Sequence, residues 1–399
     1  MPSARTRPQE SRLARRSMLR RTVTAALSGL ALPAIAGLRQ SVRASDPLGD
    51  ADMSEIRARA EAMMREARVP GVAVALSLDG VDRTFGLGLA SQGTRAAMED
   101  NTLFAMSTLT QPVTAVAAAR LHDLGKLDLD RPVAKYLPAL KLKDGAANEI
   151  TVSHLLSHTS GLDPDGGDEW DSAGSRSDAL ARWVEQYRDL RILTAPGTTF
   201  EPNDLGYDLA GRVIEVAAGV PFHKAIQEHV TVPLGMERSV FADADARGWT
   251  TASGHMGRTM REHSPFNEER AEWPDGGLVS TARDQLRFAR MFVDGGLAAD
   301  GSRFLSEDVV SRLTSPLVAA GSDPRDTASL AWLVEDAPEA RFLSLDGSVD
   351  GFESISTIVP ARRFAVVVLA NSESGEELVA NLTDWTITRL LGIEVEAPA

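Results

Sequence analysis

Short apolar runs suited to β-strands stand at both ends of this chain, while the middle is helical and loop-rich, and that arrangement constrains the fold more than any other feature. Residues 72–78 and 81–89 are joined by Asp79-Gly80, a dipeptide that favours a tight hairpin, so two antiparallel strands are expected there. Four more strand-like runs follow near the other end, at 329–334, 341–345, 352–359 and 364–370. Between them, residues 126–272 offer helical segments such as 178–190 and 206–218, separated by loops rich in Gly, Pro and Asp. Helices are also expected at 54–68, where Ile56, Ala60, Met63, Met64 and Ala67 recur at helical spacing, and at 110–124, 282–294 and 376–391. The 110–124 helix follows a Ser-Thr pair suited to a cap and stops before Gly125. Strands from both ends must share one sheet. The expected fold is an α/β (α+β) sandwich, an antiparallel sheet flanked by helices with an inserted helical region. Its sheet part should span about 54–125 and 274–392, its helical part about 126–273, with a tail at 393–399.

At 399 residues and 43% hydrophobic content the chain can bury a large core. It has no cysteine, which excludes disulfides and thiolate metal sites. Residues 1–44 hold nine arginines and one glutamate, so the net charge of −14 becomes −22 for the remainder. Nucleic acid and anionic membrane surfaces, which attract positive proteins, are therefore not expected partners. Arg15-Arg16-Ser17-Met18-Leu19-Arg20, the mild apolar stretch 22–38 and Val42-Arg43-Ala44 resemble a twin-arginine export signal cleaved after Ala44. A periplasmic or secreted protein is expected, with no membrane span once the signal is removed, since 17 residues interrupted by Gly29, Pro33 and Gly37 make a poor anchor.

Phe104-Ala105-Met106-Ser107-Thr108-Leu109-Thr110-Gln111-Pro112-Val113-Thr114-Ala115 resembles the first motif of class C β-lactamases, related esterases and D-alanyl-D-alanine peptidases, the serine β-lactamase and penicillin-binding protein family. Further landmarks follow in family order: Leu155-Leu156-Ser157-His158-Thr159-Ser160-Gly161-Leu162, Pro196-Gly197, Pro233-Leu234-Gly235-Met236 and Gly276-Gly277-Leu278-Val279-Ser280-Thr281-Ala282. The resemblance implies a β-lactamase/transpeptidase-like fold over nearly all of residues 54–392. It also implies acyl transfer through a serine, which needs an activated hydroxyl, a base, an acid and amide donors for the oxyanion.

The side chains that do this in the family are replaced here. Four residues after Phe104, Thr108 stands at the nucleophile position and Gln111 at that of the lysine. An amide takes no proton near neutral pH. Where the family has Tyr-x-Asn, this chain has Pro202-Asn203-Asp204, so the tyrosine has become a proline and the amide a carboxylate. The late Lys or His before x-Gly is Leu345, followed by Asp346-Gly347. By resemblance, the oxyanion amides would be those of Thr108 and Ser348.

Losing a general acid or base costs roughly 10² to 10⁴ in rate. The expectation is thus a non-catalytic relative that binds a peptide, a cell-wall fragment, an ester-like ligand or a protein partner through the old cleft. Two alternatives are an active hydrolase of β-lactamase, esterase or carboxypeptidase type using Thr108, and a structural protein whose cleft has collapsed. No cofactor is implied. His154 and His158, four apart, have no adjacent glutamate or third ligand and are expected to make structural hydrogen bonds rather than hold a metal. The acidic loop from Asp163 to Asp171 lacks the glycine and closing glutamate of a calcium loop and is expected to be a solvated rim. Ser107 is expected to cap or pack, since one step along a helix turns it about 100° from the nucleophile's direction.

Overall fold

The computed structural model describes residues 47–394 apart from 144, 168, 169 and 258. The expected signal segment, residues 1–44, lies outside the described residues, as do 395–399 of the expected tail. Eight antiparallel strands form the main sheet: β1 (Gly71–Leu78), β2 (Val81–Gly88), β3 (Val318–Ala319), β4 (Asp326–Ala328), β5 (Leu333–Asp336), β6 (Arg341–Val349), β7 (Phe352–Val359) and β8 (Phe364–Ala370). Their order is β2-β1-β8-β7-β6-β5-β4-β3, so the first hairpin joins the last strand. Val72 pairs with Ala370 and Leu78 with Phe364.

The alternation of β1 and β8 explains the layers. Val72, Val74 and Leu76, with Val366 and Val368, face one core, where Ile56 and Ala60 of helix α1 (Asp50–Ala67) meet Leu378, Leu382 and Ile387 of the last helix. Ala73 and Ala75, with Val367 and Leu369, face the other core, shared with the helix at Ala282–Val293 and with the helical region between residues 110 and 276. A strand buried on both faces reads as a continuous apolar run, and every residue of β8 is buried. Within the helical region, α2 (Thr110–Asp123) packs on α3 (Asp204–Ala218) and on the short helix Trp273–Gly276.

Several expectations need correction. Residues 329–334 are not one strand: the Ser329 amide bonds Trp332 O, and the Ser329 hydroxyl accepts from the Trp332 amide, which makes a turn between β4 and β5. The 178–190 helix is α-helical only over Ala179–Glu185 and then tightens to a 3₁₀ turn. The expected tail begins in the core, because Ile393 is 3% exposed and packs with the terminal helices.

Candidate functional site

Three walls meet around the start of α2. The first is the 3₁₀ turn Ser107–Leu109 that leads into the helix. Ser107 has φ 48, a left-handed conformation that costs a non-glycine residue about 1–2 kcal/mol and persists only where the surroundings enforce it. They do so through four hydrogen bonds: Met106 N to Leu278 O at 2.9 Å, Leu278 N to Thr110 Oγ1 at 3.1 Å, Ser354 Oγ to Met106 O at 3.3 Å and Ser107 Oγ to Ser348 O at 3.1 Å. No side chain caps the turn or α2, which corrects the expected Ser-Thr cap. Ser107 spends its hydroxyl on the Ser348 carbonyl of β6 instead.

The second wall is the end of β6. Asp350 and Gly351 have φ 42 and 83, the signature of a two-residue hairpin in which Val349 and Phe352 form the hydrogen-bonded pair. The next pair, Ser348 and Glu353, is then of the non-hydrogen-bonded kind, and the Ser348 N–H and C=O point away from β7. Strand β5 pairs with β6 only as far as Ser344, so this edge is left for the 107–109 turn. A Cβ on Gly347 would lie 2.6 Å from Met106 O and 3.1 Å from Thr108 N, so only glycine permits the approach. Gly347→Ala should therefore destabilise the protein by about 1–3 kcal/mol, because besides Ser354 Oγ the obstructing atoms are backbone. Chemical denaturation measures this, and an unchanged midpoint would contradict it.

The third wall is the start of α3. Asn203 caps it, accepting from Gly206 N at 3.1 Å and donating through Nδ2 to Leu162 O at 2.7 Å. His158, itself at φ 55, is clasped to this segment: its carbonyl accepts from Glu201 N at 2.8 Å and its Nδ1 from Asn203 N at 3.0 Å. Pro202 sits between those two donors and contributes none.

These contacts fix a hydrogen-bond chain of one polarity. A backbone N–H can only donate, so His158 Nδ1 accepts and its Nε2 carries the proton. Nε2 therefore donates to Gln111 Oε1 at 3.0 Å, which leaves the Gln111 Nε2 to donate to Asp204 Oδ1 at 3.1 Å. Gln111 is 3% exposed, and both its polar atoms are spent. Part of His158 reaches solvent, yet its ring nitrogens are both engaged within the protein, and burial pulls its pKa down to about 4. The ring packs edge-on against Phe200 and tilted on Tyr207, with centroids 5.8 and 5.0 Å apart. Tyr207 is no proton donor for the site. Its hydroxyl donates to Leu156 O, and burial raises its pKa.

Of the residues singled out from sequence, the structure thus bonds Gln111 to Asp204 and brings the Thr108 amide beside Gly347. Leu345 lies on the same face of β6 as Gly347, 8% exposed, and packs into the apolar core. Thr108, Pro202 and Asp204 are half-buried and Ser348 is exposed, so the mouth of the site reaches solvent. Among the described residues no hydrogen bond involves the Thr108 hydroxyl or its N–H. His158 makes structural hydrogen bonds, as expected from the sequence, but its partner Gln111, 47 positions away, was not visible there. His154 instead completes a capping box with Thr151, with Thr151 N on its Nδ1 at 3.3 Å. Its partner in the expected pair, His158, sits in the chain just described. Among the described residues no group of three His, Cys, Asp or Glu side chains is arranged to hold a metal ion.

Comparison with known proteins sets this geometry in context. The family model described as Beta-lactamase matches residues 56–387. Penicillin-binding protein 4 of Amycolatopsis lactamdurans is 30% identical over 362 residues, covering 87% of this chain and 93% of that protein. Esterase EstB of Burkholderia gladioli is 32% identical over 210 residues, 49% of this chain and 54% of its own. Among solved structures, a class C beta lactamase from Rhodobacter sphaeroides superposes with a TM-score of 0.71 at 23% identity, covering 84% of this chain and 99% of its own. The octameric penicillin-binding protein homologue from Pyrococcus abyssi gives 0.72 at 23% identity, over 86% of this chain and 78% of its own.

Proposed function

The chain belongs to the beta-lactamase family, and from that premise we propose that it is an exported member which binds its ligand without hydrolysing it. The observation that carries this reading is the state of position 111. A general base must accept a proton, and the Gln111 amide has no basicity near neutral pH and no uncommitted polar atom. His158 does not replace it, since its only basic nitrogen already accepts from Asn203 N. The Thr108 hydroxyl has no hydrogen-bonded base among the described residues, and Pro202 offers no proton to a leaving group.

What remains suits binding. Thr108 keeps an N–H that bonds nothing else in the described structure, and Ser348 directs its own outward from the sheet. Two such donors can hold a carbonyl oxygen with no catalytic side chain at all. The ligand would be a peptide, a cell-wall fragment or an ester-like molecule, or a segment of a protein partner. The same donors and the retained Thr108 hydroxyl favour a second reading, a slow hydrolase with threonine as nucleophile.

Incubating the protein with nitrocefin and a fluorescent penicillin separates the two. Intact-mass measurement is expected to show no adduct and absorbance no turnover. A stable mass increase mapped to Thr108 or Ser107 would establish the hydrolase reading.

A further inference from the structure

We propose that Ser107 is a specificity-determining residue: its hydroxyl takes the hydrogen-bond acceptor on the open edge of β6, so the site selects ligands with a carbonyl but no adjoining N–H, an ester in place of an amide. This rests on the binding reading above and narrows its ligand class. Strand β5 accompanies β6 only as far as Ser344, which leaves the edge at Ser348 without a partner strand. Ser348 and Glu353 form a non-hydrogen-bonded pair, so the Ser348 N–H and C=O both point away from β7. An edge residue of this kind holds an extended ligand by two bonds, its N–H to a ligand carbonyl and its C=O to a ligand N–H. Here the two groups are not equally free. Ser107 Oγ donates to Ser348 O at 3.1 Å, whereas the Ser348 N–H has no partner among the described residues.

Serine is a costly residue at this position. With φ at 48 the backbone is left-handed, where glycine would rest without strain and a Cβ does not. What the serine adds is the bond from its hydroxyl to Ser348. The turn does not depend on that bond to stay against the sheet, because Met106 N on Leu278 O, Leu278 N on Thr110 Oγ1 and Ser354 Oγ on Met106 O fasten it from both sides. Ser107 is half-buried and Ser348 exposed, so the bonded pair lies where a ligand arriving from solvent meets it. A carbonyl that already accepts one donor holds a second less strongly, and a ligand N–H brought to this edge without a good acceptor loses its hydrogen bonds to water. An ester oxygen needs no acceptor. The Ser348 N–H serves the carbonyl of either ligand alike, so it adds affinity and the Ser107 hydroxyl adds the discrimination.

Two probes that differ in a single group test this on the full chain. N-acetylglycine dimethylamide has one N–H, and O-acetylglycolic acid dimethylamide has an ester oxygen in its place. Titrations followed by the backbone amide NMR shifts of Thr108 and Ser348 are expected to show the parent binding the ester at least as tightly as the amide. Ser107→Gly removes the hydroxyl and suits the left-handed backbone, while Ser107→Ala removes the hydroxyl and keeps the Cβ. In both variants the amide should gain about fivefold relative to the ester, the effect of one hydrogen bond regained. An amide-to-ester affinity ratio that is the same in the parent and both variants would overturn the proposal and leave the binding reading standing. A parent that prefers the amide would overturn it too, as would a gain confined to Ser107→Gly, which would trace to the relaxed backbone. If neither probe shifts either residue in any of the three proteins, the binding reading falls and this selection falls with it.

Discussion

Thr108→Ser, Gln111→Lys, Pro202→Tyr and Leu345→His, made together, are expected to raise nitrocefin or short-chain ester hydrolysis at least about a hundredfold above the parent, while each change alone stays silent. The range rests on the roughly 10² to 10⁴ in rate that one general acid or base contributes. Groups acting as one catalytic unit do not add, so a single restored member has little to act with. The hydrogen-bond chain makes the case for Gln111→Lys concrete. A lysine at 111 brings donors only, so the His158 Nε2–H loses its acceptor, which costs about 1–3 kcal/mol for a buried group. The new ammonium would also lie against Asp204 and hold its proton, because an adjacent carboxylate favours the charged form. A protonated lysine is no base. The hydroxyl that Pro202→Tyr adds must therefore take the serine's proton itself, its ionised form favoured by the neighbouring ammonium. Steady-state assays of the four singles and the quadruple measure this. Turnover by Gln111→Lys alone at the level of the quadruple would show that Thr108 was already a competent nucleophile. A folded but inert quadruple would place the segment around Pro202 out of reach of the old chemistry.

The second large effect is a pH dependence of stability set by His158. Burial holds its pKa near 4, against 6.5 for an unhindered imidazole. Between those values the unfolded chain takes up a proton that the folded chain refuses. The contribution of the neutral ring is therefore fully present above pH 6.5 and lost as pH falls toward 4, a change of about 3 kcal/mol. Protonation would set an Nδ1–H directly against the Asn203 N–H and open that bond, while the Nε2–H could still donate to Gln111. His158→Asn suits the left-handed backbone at this position and removes the titration. Urea denaturation of both proteins from pH 7.5 to pH 4 should show the parent losing its advantage over the variant as pH falls. Parallel curves would mean that His158 does not carry this dependence.

How much of this could be read from the sequence depended on the distance over which a contact acts. β7, β8 and the helix Glu376–Leu391 begin and end where their apolar runs do, because a strand buried on both faces and an amphipathic helix each carry their own signature. The reading of Thr108, Gln111, Pro202 and Leu345 as replacements rests on sequence register alone, set by flanking residues such as Phe104 and Pro112-Val113. Ser107 was misread: serine before a helix suggests a cap, and its positive φ and its bond to Ser348, 241 positions away, have no local signal. Residues 329–334 were misread for a related reason. A Ser-Leu-Ala-Trp run has strand-like apolarity, and it is turned by the Ser329 hydroxyl, shared among the Ala331 and Trp332 amides, together with the Ser329 amide on Trp332 O. Gln111 looked like a simple loss. In three dimensions it is a fitted member of a chain whose direction is fixed at Asn203.

The pairing of β1 with β8 also sets a schedule for the molecule. At roughly 5–20 residues per second, the hairpin of β1 and β2 emerges from the ribosome tens of seconds before its partner strand exists. During that interval the edge of β1 that will receive β8 is an open template for pairing with another nascent chain. Non-local pairing of this kind also slows folding once synthesis ends, since loop closure must precede the contacts that reward it. A holding chaperone that occupies the early hairpin would protect it until residue 370 has been made, and its absence should show first as aggregation of newly made chains while the finished protein stays soluble.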